Sequence, residues 1–418
     1  MKLFSTRLCI AFSFMICSHF SCQEEEPIPV SVQVPDNQPA TVLDRGWSTG
    51  NLPGVMTDRS KLSWPTLTKD GSKIYVSNNP EIYTGEGWLM NNAGKTTCAE
   101  RSSTAYPLSG NFMLYLYHIN GSEKDNYIHI VVSNPTNSTI YVSYKGSIYN
   151  NTDYPFSGNG PCYETAKDWL YNEAFTHPQS SSIAIPAKSG KSILAKKAFS
   201  RNSIDGLFEI STTGDAYIYT VACSTTDGNR AVNLTQTACA PYTPQLPNDR
   251  DDGVYKLENS GSFGREAGIY ASSRVNGTIT DNLPNYMAYK AYCFNTSAKF
   301  QSAQQEQCAN ALSTLSGSSQ KTYGNYGHKF TFDVKLQNPN STGKIVDIYL
   351  ATTSGAKFNS PVSWGGAAKS VTISGTGAGG RYMLASYYVS PGSSVDKELT
   401  LYSPGLISTD QQILLQVR

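Results

Sequence analysis

Short apolar runs alternate with clusters of turn-forming residues along most of this chain, and one stretch alone holds a helical period. Residues 73–77 read as a strand closed by Asn78, Asn79 and Pro80. Residues 112–120 and 127–133 read as two strands joined through residues 121–125, a hairpin. Asn134-Pro135-Thr136-Asn137 breaks the run, because proline cannot donate to a ladder and asparagine favours turns. Strands follow at 139–144, 183–185, 193–195 and 216–222, with a proline turn at 186–190. Residues 163–175 read as a helix carrying Ala166, Trp169 and Leu170 on one side. The second half repeats this grammar. Strands at 329–336 and 345–351 flank Asn338-Pro339-Asn340-Ser341-Thr342, and Pro391-Gly392-Ser393 leads into strands at 398–402 and 412–417. The repetition predicts a mostly-β fold of two related β-sandwich domains, Ig-like or jelly-roll-like, with one short helix. Domain 1 is expected over 51–245, a linker rich in proline and charge over 246–258, and domain 2 over 259–418.

The N-terminus changes the expected compartment. Lys2 and Arg7 stand at the start of an apolar run from Leu8 to Cys17, the layout of an export signal. The run is shorter than the roughly 20 residues that a membrane-spanning helix needs. Cys22, followed by Gln23 and Glu24 to Glu26, is similar to a lipoprotein signal, in which the cysteine is lipidated; His19 and Phe20 depart from the usual box. Residues 1–22 are expected to be a signal peptide of this type and 23–50 a flexible tether. The expected location is extracellular or at the cell surface, anchored to an outer membrane through Cys22, with no other membrane contact.

Six cysteines lie beyond Cys22, an even number as a disulfide set requires in an oxidising compartment. They allow 15 connectivities. Local spacing favours Cys223–Cys239 and Cys293–Cys308, which leaves Cys98–Cys162. Each bridge would contribute about 3–4 kcal/mol. No Cys-x-x-Cys spacing exists to favour a metal instead.

Charged residues make up 16% of the 418, and the net charge is +1. With no basic stripe, nucleic acid is not an expected partner. The 27 tyrosines suit half-buried strands, and they would also suit stacking on glycans. Trp88, Trp364, Tyr387 and Tyr388 are the candidate stacking rings.

Candidate chemistry is sparse. Gly375-Thr376-Gly377-Ala378-Gly379-Gly380 has dinucleotide-loop spacing, but the residues after it read as strand where such a site needs a helix, so it is expected to be a hairpin loop. His118 and His129 would face each other in the expected hairpin, a pair able to hold a metal only with further ligands. His177 and His328 read as structural. Asp249, Asp251 and Asp252 before Gly253 suggest a structural calcium site, although Gly253 comes too early for an EF-hand loop. No other cofactor is expected. Glu164 and Asp168 share a helix face; paired carboxylates run glycoside hydrolysis, while on one exposed helix they are ordinarily a solvated face. No catalytic residue is assigned.

Several motifs, in order, carry a family likeness: residues 77–82 (Ser-Asn-Asn-Pro-Glu-Ile) running on to Glu86-Gly87-Trp88-Leu89, Tyr117-His118-Ile119, Ser133-Asn134-Pro135-Thr136-Asn137, Gly160-Pro161, Ile185-Pro186, residues 264–269 (Gly-Arg-Glu-Ala-Gly-Ile) and Gly324-Asn325-Tyr326-Gly327. Over roughly 74–418 the chain resembles an uncharacterised, mostly cyanobacterial family of exported proteins catalogued as a domain of unknown function. The cysteines and the acidic tag depart from that pattern. The resemblance implies an envelope location and a mostly-β fold, and it brings no activity. Three functions stand as expectations: a non-catalytic structural or adhesion protein of the envelope or extracellular space, partnered by glycans or other envelope proteins; a carbohydrate-binding surface protein; and a secreted hydrolase.

Overall fold

The strand Leu108–Asn120 is buried on both faces, and this organises the first half. Its side chains alternate with period two. Phe112, Leu114 and Leu116 enter one apolar core, while Met113, Tyr115, Tyr117 and Ile119 enter another. The computed structural model describes residues 40–42, 61–95, 101–151, 160–172, 174–237, 239–242, 254–257, 261–295, 307–352, 358–373, 380–403, 405 and 411–418. All of them belong to one compact unit. They are mostly strand, with the helices Pro161–Tyr171 and Gly228–Leu234. Among the described residues no helix is long and apolar enough to cross a membrane.

Nine first-half strands, with Ala267–Tyr270 and Ala311–Thr314 from the second half, form an eleven-stranded sheet around Ser203–Cys223. Residues 203–212 of this strand pair with Leu108–Asn120 on one side and Ile140–Asn150 on the other. Residues 217–223 pair instead with Asn126–Ser133 and, in part, Gly87–Asn91. The register shifts between Thr212 and Ala216, where Thr213-Gly214-Asp215 interrupts the ladder and lets one strand change neighbours. The expected hairpin of 112–120 with 127–133 is therefore corrected: these segments pair with different ends of the long strand. His118 stands opposite Ile204 and His129 opposite Val221, so the two imidazoles do not face each other.

The second half is built from a six-stranded sheet and a five-stranded sheet. One core draws on both: Phe330, Phe332 and Leu399 from the former, Ile348, Tyr387 and Ile413 from the latter. Among the described strands the chain passes between the two sets of sheets four times, and two of these crossings lie side by side. Thr66–Asp70 pairs with Arg274–Asn282 in the six-stranded sheet, whereas Ile74–Ser77, just after it, pairs with Leu108–Asn120. Ala267–Tyr270 pairs with Ile74–Ser77 before the chain returns to Arg274–Asn282. The sheets thus interleave across the boundary expected at 246–258. Part of that segment, Val254–Leu257, is itself a strand paired with Gly261–Gly264. Within the expected tether, Thr41–Val42 forms a strand on the edge of Gly380–Val389.

A repeat is visible in hydrogen bonds. The buried Asn134 side chain donates to the carbonyls of Ser138 (2.8 Å) and Ile185 (3.0 Å), while its Oδ1 accepts from the Thr136 amide at 2.9 Å. Asn338 donates to Thr342 (2.9 Å) and Val389 (2.8 Å), and accepts from the Asn340 amide at 3.1 Å. In both cases the far carbonyl lies 51 residues on. The Asn134 amide donates to Ser189 and the Asn338 amide to Ser393, which ties each Asn-Pro turn to the proline turn that follows. Strand pairing agrees: Ser133 opposes Gly190 as Gln337 opposes Ser394. Each second-half residue stands at one constant offset from its counterpart.

The expected bridges are corrected. Cys162 and Cys223 are free, buried thiols, so neither Cys98–Cys162 nor Cys223–Cys239 forms. Cys162 opens the helix and faces Tyr117 in the core between the halves. Cys239 is disulfide-bonded, and Cys293 and Cys308, both buried, are not joined to each other. Cys22, Cys98, Asp249, Asp251, Asp252 and the glycine loop 374–379 lie outside the described residues.

Because each buried asparagine satisfies carbonyls that would otherwise be orphaned, Asn134→Ala and Asn338→Ala should each cost about 2–4 kcal/mol in urea unfolding. A variant as stable as the parent would show that the turn needs no side-chain tie.

Candidate functional site

The two adjacent crossings leave a pocket of about 360 Å³ at the seam. Gly71 and Ser72 come from one crossing, Ser273 and Arg274 from the other. Asn111, Met113 and Glu209 come from the first-half sheet, Lys329 and Tyr402 from the six-stranded sheet, and Trp169 from the helix. Two glycines are required here. Gly71 has φ +81°, and a Cβ would lie 2.7 Å from Ser273 Oγ; Gly327 has φ +77°, and a Cβ would lie 2.7 Å from the Tyr115 side chain.

The helix that carries Trp169 bridges the halves. Proline at its first turn suits a helix start, and Asn172 ends it in the left-handed region at φ 52°. Trp169 Nε1 donates to the Leu207 carbonyl at 2.8 Å, and Tyr171 OH donates to carbonyls of Val362 and Lys369 in the second half. The Trp169 ring is flanked by Phe175 at 4.9 Å and Tyr402 at 6.3 Å between centroids. Desolvation, with Glu209 adding to it and Arg274 opposing it, raises the Tyr402 phenol to about 12. Around the pocket, Arg274 pairs with Asp70 at 3.2 Å and Glu209 lies 3.7 Å from Lys145. Lys329 has no ion-pair partner among the described residues.

Several polar side chains are buried elsewhere in the core. His118 Nδ1 donates to the Pro80 carbonyl at 2.7 Å, its Nε2 meets Ser77 Oγ at 2.9 Å, and burial takes its pKa down to about 3. His328 Nε2 donates to Ser272 at the second crossing at 2.9 Å, and burial takes it down to about 4. Glu266 accepts from the Gly324 amide at 2.7 Å; burial pushes its carboxyl up to about 8. Tyr115 OH donates to Asp205 at 2.8 Å, and burial raises that carboxyl to about 6. Glu81 and Arg265 form an ion pair.

A family model described as a protein of unknown function (DUF3370) matches residues 69–361. The chain belongs to that family. All the pocket residues named above except Tyr402 fall within the matched span. Four of the sequence motifs contribute to the buried polar groups: Ser77, Glu81, His118, Arg265, Glu266 and Gly324 come from four separate segments. No curated protein matches the chain. Among solved structures it is similar to a mutant laccase from B. aclada (9% identity over 71% of this chain and 47% of that one, TM-score 0.13). It is also similar to a tryptophan-to-tyrosine mutant of oxalate decarboxylase from Bacillus subtilis (8% identity over 84% and 77%, TM-score 0.09). The chain thus spans about half the length of the laccase.

The sequence-derived stacking rings are corrected. Trp88 and Tyr387 are buried in separate cores, and Trp364 Nε1 donates to Tyr387 OH at 2.8 Å inside the second. Tyr388 is half-buried. Gly87–Asn91 is buried along its whole length, and Trp364 and Tyr387 stand at the positions of their strands that face the shared second-half core. Trp169 and Tyr402, which the pattern placed on a helix and a strand, are the rings that reach a pocket. The carboxylate pair on the helix separates in role. Asp168 is buried and accepts from Ser147 Oγ (2.5 Å) and Tyr149 OH (2.8 Å), while Glu164 pairs with Lys167 at 2.8 Å. His129 meets Ser192 Oγ and donates to the Thr225 carbonyl. Among the described residues no group of three or more ligating side chains forms a metal site.

The buried groups set opposing pH slopes. His118 and His328 are held neutral, so their contribution is complete above about 6.5 and declines as pH falls toward 4. Glu266 keeps its proton in the native state up to about 8 against 4.5 unfolded, so its contribution is complete below 4.5 and is lost as pH rises through 8. Glu266→Gln should therefore gain on the parent by on the order of 3 kcal/mol between about pH 5 and 9 in urea unfolding. A constant difference across that range would refute the protonated assignment.

Proposed function

We propose that this chain is an exported, non-catalytic component of the cell envelope or extracellular space, built of two related β-sandwich domains fused at the double crossing, that adheres to carbohydrate through the pocket at the seam. The observation that carries this reading is the Trp169–Tyr402 wall beside hydroxyl and amide side chains (Ser72, Ser273, Asn111) in one recess. Aromatic rings offer apolar area with little entropy to lose, and nearby polar groups orient a hydroxylated ligand. Its volume falls in the lower part of the ligand-pocket range of about 300–1,000 Å³.

Export and lipidation at Cys22 rest on the N-terminal pattern alone. A diacylated or triacylated Cys22 peptide in mass spectra of the native protein would support them, and an unmodified start elsewhere would reject them. The hydrolase reading is less well supported. Glycoside hydrolysis uses two carboxyl groups across the scissile bond. The pocket is lined, among the described residues, by the single carboxylate Glu209, and the helix pair Glu164 and Asp168 is engaged elsewhere.

On columns of immobilised polysaccharides the purified protein should be retarded by at least one polymer without releasing reducing sugar, and Trp169→Ala should elute several-fold earlier. Equal retention of the variant would remove the pocket from the account; sugar release would restore the hydrolase reading.

A further inference from the structure

We infer that the pocket selects an acidic sugar residue, a pyranose carrying a carboxylate such as a uronic-acid unit, with Lys329 as the group that reads the charge. This rests on the carbohydrate reading above and narrows it. The lining holds three charged side chains, and two are already engaged: Arg274 by Asp70 at 3.2 Å and Glu209 by Lys145 at 3.7 Å. Lys329 lines the same recess, half-buried, and forms no ion pair among the described residues, the one carboxylate of the lining, Glu209, lying beside Lys145. An ammonium at the wall of a recess with no ion-pair partner is free to take a ligand carboxylate through a charge-assisted hydrogen bond.

The placement of Lys329 is fixed by the fold. It opens the strand Lys329–Gln337, beside Arg274 in parallel register and opposite Tyr402 in antiparallel register. Its amide donates to the Ser273 carbonyl at 3.1 Å, which holds it to the second crossing. The cation and the Tyr402 ring therefore belong to one rigid ladder, while the Trp169 ring is pinned from the other half by its bond to Leu207. A sugar ring against the aromatic wall and a carboxylate at Lys329 satisfy both. Ser72, Ser273 and Asn111 supply partners for the ring hydroxyls. Arg274 is held by Asp70 and leaves Lys329 as the cation that discriminates.

The test is a titration of the full-length protein, followed by tryptophan fluorescence, with glucuronic and galacturonic acids and with glucose and galactose. The parent should bind the acids about tenfold more tightly than the neutral sugars, the effect of one charge-assisted hydrogen bond, with the preference shrinking at high salt. Lys329→Met, which keeps the aliphatic stem, should bring the affinity for the acids down to that for the neutral sugars. Equal affinity of the parent for acidic and neutral sugars would overturn the charge-reading inference and leave the carbohydrate reading standing. Failure to bind any of the four would overturn both. An acid preference that survives Lys329→Met would move the recognition to another cation and also overturn the assignment.

Discussion

The chain crosses from one set of sheets to the other at residues 71–73 and again at 271–273, and the pocket at the seam is framed by that adjacent pair of crossings. Thr66–Asp70 is committed to the second-half sheet by its ladder to Arg274–Asn282, and Ile74–Ser77 to the first half by its ladder to Leu108–Asn120. The few residues between them have no freedom to separate the halves. His328 reinforces the return crossing through Ser272, and the Lys329 amide does so through Ser273. A fold tied in this way buries the outer face of Leu108–Asn120 against the helix and residues of the second half, which is why Met113, Tyr115 and Tyr117 are apolar or aromatic on what would otherwise be a solvent face.

Two kinds of polar residue do different work. His118 and Glu266 are buried and bonded to backbone, Asp205 accepts from Tyr115 OH, and Glu81 pairs with Arg265. Groups in such positions fix one arrangement of segments, because any other leaves a donor or acceptor without a partner. Four of the motifs read in the sequence supply residues to this buried set. The side chains of the pocket, Trp169, Tyr402, Lys329 and Asn111, are those that line a recess.

Local features were legible in the sequence where a local rule decided them. The Asn-Pro turns at Asn134 and Asn338, the strands at 329–336 and 345–351 and the helix around Trp169 all follow from turn chemistry or periodicity. The internal repeat was also legible, since the two turns recur with the same followers. Pairing was not. The hairpin reading of 112–133 failed because Ser203–Cys223, broken in pattern by Thr213-Gly214-Asp215, takes both partners at different ends. The cysteine pairs failed because spacing along the chain says nothing of which thiols a crossing chain buries apart. Trp88, Trp364 and Tyr387 were chosen as exposed rings, but each stands at a strand position that faces a core. The pocket itself is assembled from residues between Gly71 and Tyr402, and no window of sequence contains it.

The central claim is that the halves form one cooperative unit stitched at the crossings. Urea unfolding of variants retaining a single tryptophan, Trp88 in the first-half core or Trp364 in the second, tests it most directly. One coincident transition at both reporters is expected, as for a single cooperative domain. Two separated midpoints, with one half melting while the other stays folded, would contradict it.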